Sequence, residues 1–145
     1  MVAVAELRAL TAAQRLAHLM GDVVGVEVRS VMLHGSLSAG GFRPGRSDID
    51  LLAVVDGGLA DAQAAAVERL VRRADVGGAA GLDLDVVTAD VADRPSRAPA
   101  LELHLSRHDR PSIDIESERH VASAPDLLAE LSMARAHGRA VLHGV

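Results

Sequence analysis

Hydrophobic positions along the chain switch between a helical and a strand period. From Thr11 onward, apolar residues fall at Leu16, Leu19, Met20, Val23 and Val24, the spacing of one buried helical stripe. Thr11-Ala12-Ala13-Gln14 has the side chains of a capping box, so the helix is expected to open there. Val26 to Leu33 is predicted as a first strand. Gly35 to Ser47 is predicted as a loop, with Gly40-Gly41 and Pro44-Gly45 as breakers. Ile49 to Val55 is nearly all apolar, as expected of a strand buried on both faces, and Gly57-Gly58 ends it. Leu59 to Arg73 is predicted as a second helix with Ala62, Ala66, Val67, Leu70 and Val71 inward. A turn over Gly77 to Gly81 leads into a third strand, Leu82 to Thr88. Asp93 to Pro99, with two prolines, reads as a loop, and Ala100 to Leu105 and Ser112 to Ile115 as further short strands. Ser123 is the expected N-cap of a last helix, with Pro125 in its first turn and Asp126 at the capping-box position. That helix carries Leu127, Leu128 and Leu131 and stops at Gly138. Ala140 to Leu142 returns as a short strand. The order αββαβ(ββ)α predicts an α/β fold, a mixed β-sheet flanked by helices.

Composition narrows the function classes. The chain has 145 residues, enough for one domain with one core. It has no cysteine, so disulfides and thiolate metal sites are excluded. There is no apolar run long enough to span a bilayer and no signal-peptide pattern, which points to a cytoplasmic protein with no membrane partner. The net charge is −5, which argues against broad electrostatic binding of nucleic acid. Phe42 is the only aromatic residue, so no stacking platform for single strands exists. All fifteen basic residues are Arg, which with the abundance of Ala and Val reads as genome composition.

The chemistry concentrates between Val31 and Val55. An apolar strand runs into His34-Gly35-Ser36, and after a loop the chain re-enters a strand at Ser47-Asp48-Ile49-Asp50-Leu51-Leu52. Alternate side chains of a strand share a face, so Asp48 and Asp50 point the same way, about 7 Å apart. With ~4 Å between oxygens and an effective dielectric of ~20, their repulsion is about 4 kcal/mol. A divalent cation turns that repulsion into a binding site, and hard oxygen ligands suit Mg²⁺. The Gly35-Ser36 turn offers backbone N–H groups and a hydroxyl to phosphate oxygens. Together the two elements point to a metal plus a nucleoside triphosphate. The bland alternative is a tight hairpin turn followed by an Asp-capped strand. Phosphoryl chemistry of this kind uses a third acidic group. Asp83 and Asp85 are candidates, two apart on the strand Gly81 to Thr88; a solvated strand end is the alternative for either.

This constellation resembles the nucleotidyltransferase superfamily, the DNA polymerase β-like fold, whose signature is Gly-Ser, a loop of similar length, then Asp-x-Asp. Within it, the chain from about Val28 onward resembles the streptomycin/spectinomycin 3″-adenylyltransferases. That likeness is carried by His34-Gly35-Ser36, Gly40-Gly41-Phe42-Arg43-Pro44, Ser47-Asp48-Ile49-Asp50, Leu82-Asp83-Leu84-Asp85-Val86-Val87 and Glu102-Leu103-His104. It continues in Ala124-Pro125-Asp126-Leu127-Leu128, Ala134-Arg135-Ala136-His137-Gly138 and Val141-Leu142-His143-Gly144. The resemblance implies a nucleotidyltransferase domain over residues 1–145. It implies that Asp48, Asp50 and Asp83 are the metal-binding and catalytic carboxylates, with Asp83 favoured over Asp85, and that Gly35 and Ser36 hold the phosphates of ATP. It also implies transfer of an adenylyl group to a hydroxyl of a small, aminoglycoside-like acceptor, an antibiotic-resistance activity. Two departures stand out. At the position of the general base, which deprotonates the acceptor hydroxyl, the family has Glu and this chain has Asp83, one methylene shorter. The family's C-terminal helical domain, which closes over the acceptor, is expected to be absent. An apolar surface on the last helix would then be covered by a homodimer or another partner.

Other residues carry two readings each. Arg43 and Arg46 either neutralise triphosphate charge or are solvated loop residues. Ser47 either bonds a phosphate or caps its turn. Phe42 leans on the adenine or fills a gap. Asp114-Ile115-Glu116 reads as a solvated edge strand, and the seven histidines show no ligand spacing. A minimal nucleotidyltransferase acting as the antitoxin of a two-protein module is the rival function, and a nucleotide-binding remnant without turnover is a third.

Overall fold

The computed structural model describes residues 4–23, 28–93, 101–121 and 139–143. The predicted last helix, 123–138, lies outside them, as do Leu127, Leu128 and Leu131. Helix α1 (Val4–Val23) begins a full seven residues before Thr11. The residues before Thr11 include Ala, Glu, Leu and Arg, all strong helix formers, and they carry the helix past the capping-box pattern. Thr11 instead sits mid-helix, its hydroxyl donating back to the Leu7 carbonyl at 2.9 Å. The buried stripe of α1 is Ala9, Ala13, Leu16, Ala17 and Met20, whereas Leu19 is 39% exposed.

Strand β1 (Val28–His34) leads directly into a short helix, α2 (Gly35–Ala39), where the sequence suggested loop. Strand β2 (Ile49–Val55) follows, then helix α3 (Asp61–Arg73) and strand β3 (Gly81–Thr88). Helix α3 starts two residues later than expected; Gln63 Oε1 accepts the Ala60 N–H at 2.7 Å. Its buried residues are Ala64, Val67 and Val71, with Leu70 packed partly against the core, while Ala62 is exposed. Helix α4 (Ala89–Asp93) and strands β4 (Leu101–His108), β5 (Asp114–Val121) and β6 (Arg139–His143) complete the order. Strands β4 and β5 run well beyond the short segments that the pattern gave.

The six strands form one sheet in the order β5-β4-β3-β2-β1-β6. Among the described residues, β2 and β3 pair in parallel, with α3 as their crossover, and the remaining neighbours are antiparallel. The main core lies between one sheet face and α1 and α3. It contains Val31, Leu33, Ile49, Leu51, Ala53, Leu82, Leu84, Val86, Leu103 and Leu105. Arg107 is 4% exposed on this side, yet fully occupied. It donates to the Val71 and Ala74 carbonyls at 2.7 and 2.8 Å and forks onto Asp109 at 2.8 and 3.0 Å. It thereby satisfies orphan carbonyls at the C-terminal end of α3. The opposite face holds a smaller cluster of Leu52, Val54, Val87, Ala89 and Leu101, which stops where the acidic residues begin.

Candidate active site

Strand register brings the acidic residues together. Asp50 of β2 pairs with Asp83 of β3, His34 of β1 pairs with Asp50, and Ser106 of β4 pairs with Asp83. Register partners share a face, so these four side chains form one row across the sheet. Asp48 lies just before β2 with the parity of Asp50. One step further along the strands, Leu52, Asp85 and His104 form a second row. The structure thus sets Asp83 beside Asp50 and sets Asp85 in the row behind.

The electrostatics follow from that crowding. Burial raises the Asp50 pKa to about 7, helped by the charges of Asp83 and Asp48 and by a hydrogen bond from Asp50 to the Asp83 side chain. Burial likewise raises that of Asp48, with Asp83 the largest charge acting on it. Carboxyls that share a hydrogen bond hold a proton between them unless a cation takes its place. Burial lowers the pKa of His34 against the opposing pull of Asp85 and Asp83, which favours the neutral ring.

The Gly35 turn fits against Asp50. Gly35 has φ of +73°, and a Cβ there would lie 2.1 Å from Asp50 Oδ2. Only glycine permits both the backbone angle and the approach of the carboxylate. His34, at the N-cap of α2, makes no side-chain cap, so the first N–H groups of that turn have no such partner. The Ser36 carbonyl accepts N–H groups from Gly40 and Gly41.

The loop residues divide. The Ser47 hydroxyl accepts the Arg43 N–H at 2.9 Å, so it ties its own turn. Arg43 and Arg46 are exposed. Phe42 is 6% exposed in the main core and fills a gap there. Asp114 and Glu116 are exposed on the edge strand β5.

Among the described residues, no three His, Asp or Glu side chains stand as a ready all-protein metal cage. Mg²⁺ does not require one: it keeps several waters and takes one or two carboxylates together with substrate phosphates. Asp48, Asp50 and Asp83 fit such an ion: three carboxylates stand together on one half-buried face, and burial with the neighbouring negative charges raises the proton affinity of Asp48 and Asp50. The placement of His34 beside Asp50 and the pairing of His104 with Asp85 are not visible as ligand spacing within the chain. The signal that finds them is register: both lie opposite the aspartates across strands.

A family model described as "Nucleotidyltransferase domain" matches residues 19–119, more than half of the chain. No curated protein matches the chain in sequence. Among solved structures, the chain is similar to spectinomycin adenyltransferase AAD(9) from Enterococcus faecialis, solved with ATP and spectinomycin. The TM-score is 0.60 at 14% identity, over 97% of this chain and 56% of that one. The chain thus spans little more than half the length of that enzyme, and the likeness is one of fold.

Proposed function

The chain belongs to the nucleotidyltransferase domain family, and from that premise we propose that it transfers an adenylyl group from ATP to a hydroxyl of a small acceptor. Asp48 and Asp50 hold Mg²⁺, and Asp83 completes the carboxylate group. The observation that carries this reading is the gathering of the three carboxylates on one sheet face, where burial first and the charges of Asp83 and Asp48 second push the Asp50 pKa up to about 7. When bound, Mg²⁺ neutralises the triphosphate and polarises its oxygens. Gly35 and Ser36 receive the β- and γ-phosphates at the start of α2, and exposed Arg46 lies in the loop that leads back to the aspartates. Ser47 supports this group by fixing the loop through Arg43.

Adenylyl as the group and an aminoglycoside-like acceptor are favoured by the motif resemblance and by the ligands of the similar structure, which contains ATP and spectinomycin. An ATP-using enzyme also suits the cytoplasm; no helix among the described residues is long and apolar enough to cross a membrane. Mass spectrometry tests the reading. The chain is incubated with Mg²⁺-ATP and a panel containing streptomycin and spectinomycin. The expected product is an acceptor heavier by one adenylyl group, absent with the Asp48→Asn/Asp50→Asn variant. An acceptor gaining a phosphoryl group instead would contradict nucleotidyl transfer.

A further inference from the structure

The side of α1 turned from the core carries a second apolar stripe that the nucleotide site does not use. Leu7 is 58% exposed there and Leu19 is 39% exposed. Between that stripe and the C-terminal end of α3 runs a trough of two adjoining hollows, of about 300 and 290 Å³, which share Ala12, Arg15 and Asp75. Leu19 lines one hollow and Leu7 the other. From Leu7 to Leu19 the helix rises about 18 Å. Charge in the trough runs against that of the chain. Arg8, Arg15 and Arg73 line it against one carboxylate, Asp75, in a chain of net charge −5. Asp75 is already engaged, since its Oδ1 accepts the Gly77 N–H at 2.8 Å. Among the described residues these three arginines have no ion pair, whereas Arg29, Arg107 and Arg119 each hold an aspartate. Guanidinium groups fork onto a carboxylate or phosphate, and exposed Leu side chains gain when hydrocarbon covers them.

The wall facing α1 is the turn that follows α3. It presses on the helix: a Cβ at Gly77 would lie 2.5 Å from the Arg8 carbonyl oxygen. The same turn holds the loop that leads into Asp48. The Gly45 N–H donates to the Gly78 carbonyl at 2.8 Å, and the Ala80 N–H donates to the Ser47 carbonyl at 2.9 Å. We propose that the trough is a second binding site, for a small molecule with one anionic group on an apolar body, and that its occupancy alters nucleotide affinity through this turn. The anionic group lies among Arg8, Arg15 and Arg73, and the apolar body covers Leu7 or Leu19. The coupling, unlike the site itself, rests on the nucleotide-binding reading above. By linkage, the occupant and Mg²⁺-ATP change each other's affinity by the same factor.

Octyl phosphate below its micelle concentration is the probe, with inorganic phosphate and octanol as its separate halves. Amide shifts in nitrogen-15 NMR locate it on the full chain without nucleotide. The expected result is saturable movement of the α1 amides from Arg8 to Leu19 and of Asp75. Octyl phosphate should bind at least about tenfold more tightly than either half. Arg15→Gln/Arg73→Gln is expected to weaken it by about tenfold or more and to leave the melting temperature unchanged, because both side chains are exposed. Octyl phosphate is then expected to change the Mg²⁺-ATP affinity of the natural chain by about fivefold or more, and that of the double variant not at all. Shifts confined to residues 35–50 would put the phosphate in the nucleotide site and overturn the proposal, as would undiminished binding by the double variant. Binding in the trough with the Mg²⁺-ATP affinity unchanged would overturn the coupling. A natural chain that binds octyl phosphate in the trough but no Mg²⁺-ATP would sink the nucleotide reading and leave the second site standing.

Discussion

The two faces of β2 and β3 are built from adjacent residues and do opposite work. Leu51 and Leu84 are 0% exposed against the main core with α1 and α3. One residue away in each strand, Asp50 and Asp83 turn to the other face and crowd each other. The apolar face stabilises the fold by removing hydrocarbon from water. The acidic face works against stability, because burial and like charges both oppose ionisation. A fold that keeps such a face places its cost beside a rigid sheet that holds the carboxylates in register. Function and stability are thereby separated by the alternation of a strand.

The contrast can be broken by substitutions on either side. The largest effect is expected from Leu84→Ala on the core face, about 2–5 kcal/mol of lost stability by urea titration. Mg²⁺-ATP affinity should survive wherever the variant remains folded. A variant that loses nucleotide affinity at full stability would show that the two faces are not separable.

Glycine substitutions sharpen the contrast at a finer scale. Gly35 and Gly40 both have positive φ, +73° and +89°. A methyl at Gly35 meets Asp50, whereas a methyl at Gly40 meets nothing within 4 Å. Alanine at either position should cost about 1–3 kcal/mol in backbone strain. Only Gly35→Ala should also weaken Mg²⁺-ATP binding, by roughly tenfold or more, about 1.4 kcal/mol. Equal nucleotide affinity in the two variants would remove the Gly35 turn from the site.

The smallest effect concerns pH. The folded chain holds the Asp50 proton up to about pH 7, against an ordinary value of 3.8. The folded state therefore binds the proton more tightly than the unfolded one. The stability from this group is fully present below the unfolded value and is lost as pH rises through about 7. Melting temperatures of the natural chain should fall between about pH 5 and pH 8 by more than those of Asp50→Asn. The same pH dependence in both would place the repulsion elsewhere.

The central strands were legible in the sequence, because Ile49 to Val55 is nearly all apolar and ends before Gly57-Gly58, and Leu82 to Thr88 follows Gly81 and carries Leu82, Leu84, Val86 and Val87 around its two aspartates. The Gly-Ser and Asp-x-Asp motifs are local, so their residues were legible without coordinates. What escaped was set by partners distant in the chain. Thr11 resembled a helix cap until the helix formers before it extended α1. Ala62 matched the helical stripe of α3, but the rotation that buries Val67 and Val71 turns it outward. The bond from His104 to Asp85 joins two strands nineteen residues apart, and no spacing rule within one strand reveals it.

The central claim is that Asp48 and Asp50 bind nucleotide through a metal. Isothermal titration of ATP, with Mg²⁺ and with chelator, tests it on the natural chain and on Asp48→Asn/Asp50→Asn. The natural chain should bind ATP at least about tenfold more tightly with Mg²⁺, a difference of ~1.4 kcal/mol, and the double variant should show no metal dependence. Equal affinity with and without Mg²⁺ in the natural chain, or an undiminished metal effect in the variant, would contradict the account.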